Sequence, residues 1–315
     1  MSEAPAVDEL RAERSRSDIV DGGSAVELAA GAKPAIITNA MTVDVEDYFQ
    51  VQALSAVVSR AEWDRLPSRV EGNTDRVLDL FAEHRISATF FTLGWVAERH
   101  PRLIRRIVAA GHELASHGCA HWRADEQSPA DFRADVRRSK DLLEQAGGVA
   151  VKGYRAASFS IGAGNSWAFA VLAEEGYAYS SSVYPVRHDI YGMPEAPRFP
   201  YRPIKQRGFR EFPITTMRLL GRNWPCGGGG YFRLLPYALS QAAIKTVHRA
   251  DRRPCIFYFH PWEIDPGQPV RRGLPLKSRF RHYTNLGRME GKLRRLLRGF
   301  AWDRMDRVLD AELPA

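Results

Sequence analysis

Residues 87–117 read SATFFTLGWVAERHPRLIRRIVAAGHELASH, and this stretch decides the fold because it contains one complete strand–helix–strand unit. Residues 87–93 are rich in β-branched and aromatic side chains, which is typical of a strand. Residues 101–110 predict a helix, and Gly111 follows them as the glycine that commonly ends one. Residues 112–117 predict the next strand. Two strands joined through a helix lie parallel in one sheet.

The same alternation extends in both directions from this unit. Further strands are predicted at 35–45, 151–157, 177–183, 209–215 and 255–259. Further helices are predicted at 76–84, 128–145, 166–175, 235–249 and 285–300. Six or seven such units favour a closed or nearly closed (β/α) barrel over a doubly wound sheet. The sequence has no G-x-G-x-x-G after its first strand, which argues against a dinucleotide fold.

The composition is that of an ordinary globular protein, with 44% hydrophobic and 26% charged residues in a chain of 315. The net charge of +8 is concentrated in residues 271–307, where twelve Lys and Arg face three Asp and Glu. This basic segment could contact an anionic membrane, nucleic acid or an acidic polymer, or it could form a solvated helix face. The sequence has no recognition-helix, RNP or zinc-finger motif, so we expect no nucleic-acid partner.

The expected location is the cytoplasm, with membrane association through the basic segment as an addition. No apolar run approaches the ~20 residues of a transmembrane helix, and residues 1–17 do not form a secretory signal. The three cysteines are odd in number and lack metal-like spacing, which indicates reduced thiols. We predict a flexible tail at 1–34 and one barrel domain at 35–315, which ends in a basic helical extension.

Polar residues follow the predicted strands at their carboxyl ends, which is the face where (β/α) barrels build their active sites. These residues are Asp44, Glu46, Asp47, His117, Arg155 and His260. Asp44 and Glu46 are two positions apart, so their side chains share a face of an extended strand. Each residue also has a structural interpretation: a carboxylate that caps the next helix, a histidine packed in a loop, or an arginine in an ion pair.

His117 and His121 are four residues apart, so on a helical turn both imidazoles could reach one point. Two histidines and one carboxylate form a three-ligand metal site that leaves room for water and substrate. A second carboxylate could then act as a base, while His260 could protonate a leaving amine. Arg155 could hold the base through bidentate hydrogen bonds. The pattern indicates metal-assisted hydrolysis of an amide or ester.

Five ordered motifs over about residues 36–300 resemble the bacterial polysaccharide deacetylases of carbohydrate esterase family four, which share the NodB-homology domain. The likeness is closer to the subgroup encoded with exosortase-linked exopolysaccharide loci. The motifs are TVDVEDYF at 42–49, SHGCAH at 116–121, GYRAASFSI at 153–161, FYFHPWE at 257–263 and HYTNLG at 282–287.

The resemblance implies a distorted (β/α)7 barrel that hydrolyses N-acetyl groups on hexosamines. It implies that His117 and His121 bind metal, that Asp44 is the base, that His260 is the acid and that Arg155 positions the base. Val45 stands where the family commonly has a metal-binding aspartate, so we expect the third ligand to be Glu46, with Asp47 as the alternative. Ala157 and Ser180 stand where a proline and an aspartate are usual.

The sequence therefore predicts a metal-dependent N-deacetylase that acts on a bacterial exopolysaccharide or a precursor such as a lipid-linked oligosaccharide. Zn²⁺ is the expected metal, with Co²⁺, Ni²⁺ and Mn²⁺ as alternatives. Candidate sugar contacts are Trp95, Phe159, Tyr231 and Trp262. Two other hypotheses are a ureide or cyclic-amide hydrolase on the same barrel, and a non-catalytic module that binds sugar or membrane.

Overall fold

The computed structural model describes residues 36–205 and 208–314, so the predicted tail at 1–34 lies outside the described residues. Ile36–Ala315 forms one compact unit. The strands are β1 (Thr38–Val45), β2 (Thr89–Thr92), β3 (Glu113–Ser116), β4 (Gly153–Tyr154), β5 (Tyr179–Ser180), β6 (Arg210–Glu211), β7 (Thr216–Leu219), β8 (Arg222–Pro225), β9 (Ile256–Phe259) and β10 (Ala301–Asp303). The helices are α1 (Val70–His84), α2 (Gly94–Arg99), α3 (Pro101–Ala109), α4 (Pro129–Gly147), α5 (Trp167–Glu174), α6 (Gly229–Leu234), α7 (Tyr237–Ala250), α8 (Leu276–Tyr283), α9 (Leu286–Gly299) and α10 (Met305–Glu312).

The main sheet is curled, and all of its strand pairs are parallel. β1 pairs with β2 on one side and with β9 and β10 on the other, and the sheet continues from β2 through β3, β4 and β5 to β6. The seven strands β1–β6 and β9 confirm the distorted (β/α)7 barrel, and β10 adds an eighth. β7 and β8 form a separate antiparallel hairpin that the sequence did not predict.

Local sequence signals place several helices correctly. Ser128 caps α4, because its Oγ accepts a hydrogen bond from the Asp131 backbone N–H at 3.2 Å. Gly111 follows α3 with φ of +82°, a left-handed conformation that suits glycine. The apolar stripe of α9 is buried in the core, as its helical spacing predicts.

The strands β4, β5 and β6 are shorter than predicted, with two residues each. Side chains satisfy the backbone groups that longer strands would have paired. Glu211 Oε1 accepts hydrogen bonds from the N–H groups of Ser182 and Val183, both at 2.8 Å. The Ala156 N–H donates to Ser182 Oγ at 2.9 Å. Regular pairing therefore ends early on this side of the barrel.

The buried Glu211 carboxyl makes the stability of the fold depend on pH. Burial raises its pKa to about 7, and its Oε2 has no hydrogen-bond partner among the described residues. Because this pKa is raised in the folded state, the protonated carboxyl stabilises the fold fully below about pH 4.5, and this contribution is lost as the pH rises through about 7. The unfolding free energy should fall by up to about 3 kcal/mol over this range. We expect Glu211→Gln to reduce this loss, measured as urea unfolding free energies near pH 5 and pH 9. An unchanged pH slope would contradict it.

No helix in the described part of the chain is long and apolar enough to cross a membrane. The three cysteines, Cys119, Cys226 and Cys255, are all free in the structure.

Candidate metal and catalytic site

The carboxyl ends of the parallel strands surround one cleft of about 270 Å³. Asp44 is on β1 and Glu46 directly follows it, while His117 follows β3 and His260 follows β9. All four line the cleft together with His121. Asp44 and Glu46 share this face of the barrel, as their two-residue spacing predicts.

The histidine pair lies in a loop and not on the helical turn that its spacing suggested. Gly118 has φ of +77° and His121 has φ of +51°, so the backbone turns back after β3. The two imidazole centroids are 5.2 Å apart. His117 Nδ1 lies 2.8 Å from the Arg155 carbonyl oxygen. A carbonyl can only accept, so Nδ1 carries the proton and the lone pair of Nε2 stays available to a metal.

Glu46, His117 and His121 have the geometry and chemistry of a metal site. Their ligand atoms all lie within 4.8 Å of one another. Burial lowers the pKa of His117 and puts that of His121 well below its usual value, so both rings are neutral. Glu46 Oε2 is buried 3.1 Å from His121 Nε2 and has no hydrogen-bond partner among the described residues. Two neutral imidazoles and an unsatisfied carboxylate oxygen suit a divalent ion such as Zn²⁺.

Asp47, the alternative third ligand, faces away from the histidines and caps α1. Its Oδ2 accepts hydrogen bonds from Ser68 Oγ at 2.8 Å and from the N–H groups of Arg69 and Val70 at 2.7 and 3.1 Å. Its Oδ1 accepts from the Tyr48 N–H at 2.8 Å. The capping interpretation therefore holds for Asp47.

Arg155 is fully buried and holds Asp44 in place. Its Nη1 donates to Asp44 Oδ1 at 2.7 Å and to Thr42 Oγ1 at 2.8 Å. Its Nη2 donates to Ser181 Oγ at 3.0 Å. The expected bidentate contact with Asp44 is thus wrong, since the other donors bind Thr42 and Ser181. One oxygen of Asp44 is fixed, while Oδ2 lies 4.0 Å from His260 Nε2.

His260 sits between three carboxylates. Its Nε2 is 3.3 Å from Glu46 Oε1, and its Nδ1 is 2.7 Å from Glu263 Oε1. Burial would lower the pKa of His260, but the hydrogen bond to Glu263 and the charges of Glu46, Glu263 and Asp44 outweigh it and raise the pKa to about 9. His260 is therefore protonated at neutral pH and can donate from Nε2.

Glu263 and Arg233 are two members of this cluster to which the sequence patterns assigned no role. Glu263 is fully buried, and its Oε2 accepts a hydrogen bond from Arg233 Nε at 2.6 Å. Burial opposes ionisation, but Arg233 and His260 outweigh it and lower the pKa of Glu263 to about 2. A Cβ at position 229 would collide with this carboxylate, so Gly229 leaves room for the Glu263 side chain. The sequence feature that could have identified Glu263 is its position three residues after His260.

Of the four candidate sugar contacts, Phe159, Tyr231 and Trp262 line the cleft. Trp95 does not line it, because it packs edge-on against Phe49 and Trp63, with ring centroids 6.1 and 5.8 Å apart. Trp262 is 5% exposed and stacks on His260 at 5.1 Å, so most of its surface is used inside the protein.

Two family models match consecutive parts of the chain. Residues 61–179 match the polysaccharide deacetylase model, and residues 181–310 match a domain of unknown function, DUF3473. The boundary falls between β5 and β6, which pair in the same sheet. His260 lies in the second region.

Curated relatives match parts of the chain. A Bradyrhizobium sp. (strain ANU 289) chitooligosaccharide deacetylase is 33% identical over 111 residues, which are 35% of this chain and 48% of the relative. A chitooligosaccharide deacetylase of Rhizobium leguminosarum bv. trifolii is 50% identical over 71 residues, 22% of this chain and 32% of the relative. A Bacillus cereus peptidoglycan-N-acetylglucosamine deacetylase is 30% identical over 79 residues, which are 25% of this chain and 29% of the relative. The matches thus span less than half of these relatives.

A solved structure shows the same fold. It is a Mycobacterium smegmatis protein classed with the polysaccharide deacetylases, and it superposes with a TM-score of 0.56 at 20% identity. The match covers 90% of this chain and 92% of that one. The polysaccharide deacetylase match includes two of the five sequence motifs, at 116–121 and 153–161. Over residues 61–179 the chain therefore carries the polysaccharide deacetylase domain.

Proposed function

We propose that the protein is a metal-dependent N-deacetylase that removes N-acetyl groups from amino sugars of a bacterial exopolysaccharide or its precursor. The observation that carries this proposal is the meeting of Asp44, His260 and the Glu46–His117–His121 cluster in one cleft. The relatives support it, since their names specify N-acetylated sugars: chitooligosaccharides and peptidoglycan N-acetylglucosamine.

We propose that Glu46, His117 and His121 hold a divalent metal, with Zn²⁺ first and Co²⁺, Ni²⁺ or Mn²⁺ as alternatives. Such an ion, when bound, lowers the pKa of a water and polarises the acetyl carbonyl. The buried, unsatisfied Glu46 Oε2 and the two neutral imidazoles support this assignment.

The chain's own groups then perform the proton transfers. Asp44 acts as the base: Arg155 fixes Oδ1, and Oδ2 is free to take a proton from the attacking water. His260 acts as the acid and gives the Nε2 proton to the leaving amine nitrogen. Arg155 positions the base, and Glu263 positions the acid. Phe159, Tyr231 and Trp262 are the proposed sugar contacts.

We further propose that residues 35–315 form one catalytic domain that includes the DUF3473 region. β6 and β9 of that region lie in the same sheet as β1–β5, and His260 follows β9. A cytoplasmic location, a lipid-linked oligosaccharide substrate and contact of the basic C-terminal segment with an anionic membrane stay predictions.

Acetate release tests the proposed activity. The zinc-loaded protein should release acetate from N-acetylglucosamine oligomers and from acetylated exopolysaccharide, and chelation should stop this release. Hydrolysis of ureides without acetate release would favour the cyclic-amide hypothesis. A fully metallated protein that is inactive on every amino sugar and ureide would favour the non-catalytic hypothesis.

Glu263→Gln tests how the acid is held. Removing this negative charge lowers the pKa of His260, which is about 9 in the wild type. Since the protonated form of His260 is the active one, activity is lost as the pH rises through this value. The variant should lose activity at lower pH, with kcat reduced roughly 10- to 100-fold. The pH–rate profile measures both. Glu290→Gln, in an exposed ion pair, is the control, and an unshifted alkaline limb would contradict the role of Glu263.

A further inference from the structure

We propose that the loop before α8 and α8 itself form a docking edge that binds the surface of an anionic lipid bilayer beside the cleft. The docking edge is residues 266–283. The proposal concerns binding alone, so it does not depend on the catalytic function proposed above.

The docking edge has a high density of positive charge. It contains Arg271, Arg272, Lys277, Arg279 and Arg281, and no Asp or Glu. In the described part of the chain, no carboxylate forms an ion pair with Arg271, Arg272 or Arg279, while Lys277 and Arg281 share Asp189.

In residues 284–307 three of the seven basic side chains form ion pairs, while Arg288, Lys292, Arg295 and Arg298 have no carboxylate partner in the described part of the chain. Arg294 contacts Glu83 and Glu290, with its Nη2 3.1 Å from Glu290 Oε1. Arg304 contacts Asp306, and Arg307 Nη1 lies 3.1 Å from Asp303 Oδ1. The docking edge contributes five of the nine excess positive charges of residues 271–307, and it differs from the rest of the segment in having no Asp or Glu of its own.

The same edge exposes large apolar side chains. Val270 is 59% exposed, Leu276 85% and Phe280 58%. Leu276 and Phe280 are four residues apart on α8, so they share one face of the helix. Exposed apolar residues flanked by cations are the pattern of helices that lie in the headgroup region of anionic membranes.

The inner side of α8 is held firmly, so the outward position of Leu276 and Phe280 is built into the fold. His282 is buried, stacks on Trp262 with ring centroids 4.3 Å apart, and its Nε2 lies 2.7 Å from Gln268 Oε1. Arg233 donates hydrogen bonds to the carbonyls of residues 281, 282 and 284. Arg281 lines the cleft, which places the docking edge next to its mouth.

Charge and apolar exposure together select a bilayer among the alternatives. An acidic polysaccharide would pair with the cations but leave Leu276 and Phe280 in water. A symmetric second copy would bring two edges of the same positive charge together, which is unfavourable. An anionic bilayer satisfies both features, since phosphate groups meet the cations and the acyl boundary takes the apolar side chains.

Vesicle co-sedimentation of the full chain tests the proposal, with phosphatidylcholine vesicles that either contain or lack phosphatidylglycerol. We expect binding only to the anionic vesicles, weakened by salt. Arg272→Gln/Arg279→Gln should weaken it roughly 30-fold, and Leu276→Ser/Phe280→Ser about tenfold or more. All four side chains are exposed, and thermal unfolding checks that each variant keeps its fold.

Matched control variants separate the effect of the docking edge from that of exposed charges and apolar side chains elsewhere on the protein. Arg137→Gln/Arg138→Gln removes the same charge from exposed positions on α4, and Leu239→Ser removes an exposed leucine from α7. Both should bind vesicles like the wild type. The proposal is overturned if the wild type ignores anionic vesicles or if the controls lose as much binding. It is equally overturned if Leu276→Ser/Phe280→Ser abolishes a dimer seen in sedimentation velocity, or if only soluble acidic polysaccharide binds.

Discussion

Replacing Glu46 with glutamine is expected to lower the affinity for Zn²⁺ by at least roughly 10³-fold, and acetate release should fall with it. The amide keeps the size of the side chain but removes the negative charge and one of the two ligand oxygens. Burial raises the pKa of Glu46 to about 7, so the charged form of this side chain does not stabilise the metal-free fold at neutral pH. The unfolding free energy of the metal-free variant should therefore be no lower than that of the wild type. Isothermal titration with Zn²⁺ and urea unfolding of the metal-free protein measure the two effects separately.

Asp47→Asn is the matched control, because it makes the same chemical change one residue later. Asp47 accepts four hydrogen bonds at the start of α1; asparagine keeps one acceptor oxygen, so the variant loses the bonds made to the oxygen that the amide nitrogen replaces. We expect a loss of about 1–2 kcal/mol in unfolding free energy with unchanged zinc affinity. The opposite pattern, with zinc lost in Asp47→Asn and kept in Glu46→Gln, would make Asp47 the third ligand.

His260→Gln is expected to reduce kcat for N-acetylglucosamine oligomers roughly 10²- to 10⁴-fold, because the leaving amine no longer receives a proton. Zinc affinity should change little, since His260 is outside the Glu46–His117–His121 cluster. An aryl acetate provides a sharper readout. Its phenolate leaves without protonation, so the variant should hydrolyse this ester at close to the wild-type rate.

The ratio of the two activities identifies the role of His260. His84→Gln, on α1 outside the cleft, should leave both rates unchanged. If His260→Gln loses amide and aryl-ester hydrolysis to the same extent with its zinc retained, His260 does not protonate the leaving group.

Much of the fold followed from local patterns because they act over a few residues. Ser128 caps α4, Gly111 follows α3, and the spacing of Leu293, Leu296 and Leu297 buries one face of α9. The short strands β4–β6 could not be predicted in the same way. Their length depends on Glu211 and Ser182, whose side chains bind backbone groups of residues far along the chain.

Part of the site was also accessible from sequence. The two-residue spacing of Asp44 and Glu46 put both on the cleft face, and the strand-end positions of His117 and His260 brought them to the same edge. The assumption of a helical turn at residues 117–121 was wrong, since Gly118 and His121 take left-handed backbone conformations there.

The sequence by itself determined the order of strands β1–β6 and β9, the helices α1, α3–α5, α7 and α9, and the chemical types at the carboxyl ends of the strands, because hydrophobic spacing and turn residues act locally. Only the tertiary structure decided which neighbouring carboxylate meets the histidines, that Glu263 and Arg233 hold His260, and that Trp95 lies outside the cleft. Glu46 and His121 are 75 positions apart in the chain, and Arg233 and Glu263 are 30 positions apart. Distances of that kind are set by how strands and helices pack, which no short stretch of sequence encodes.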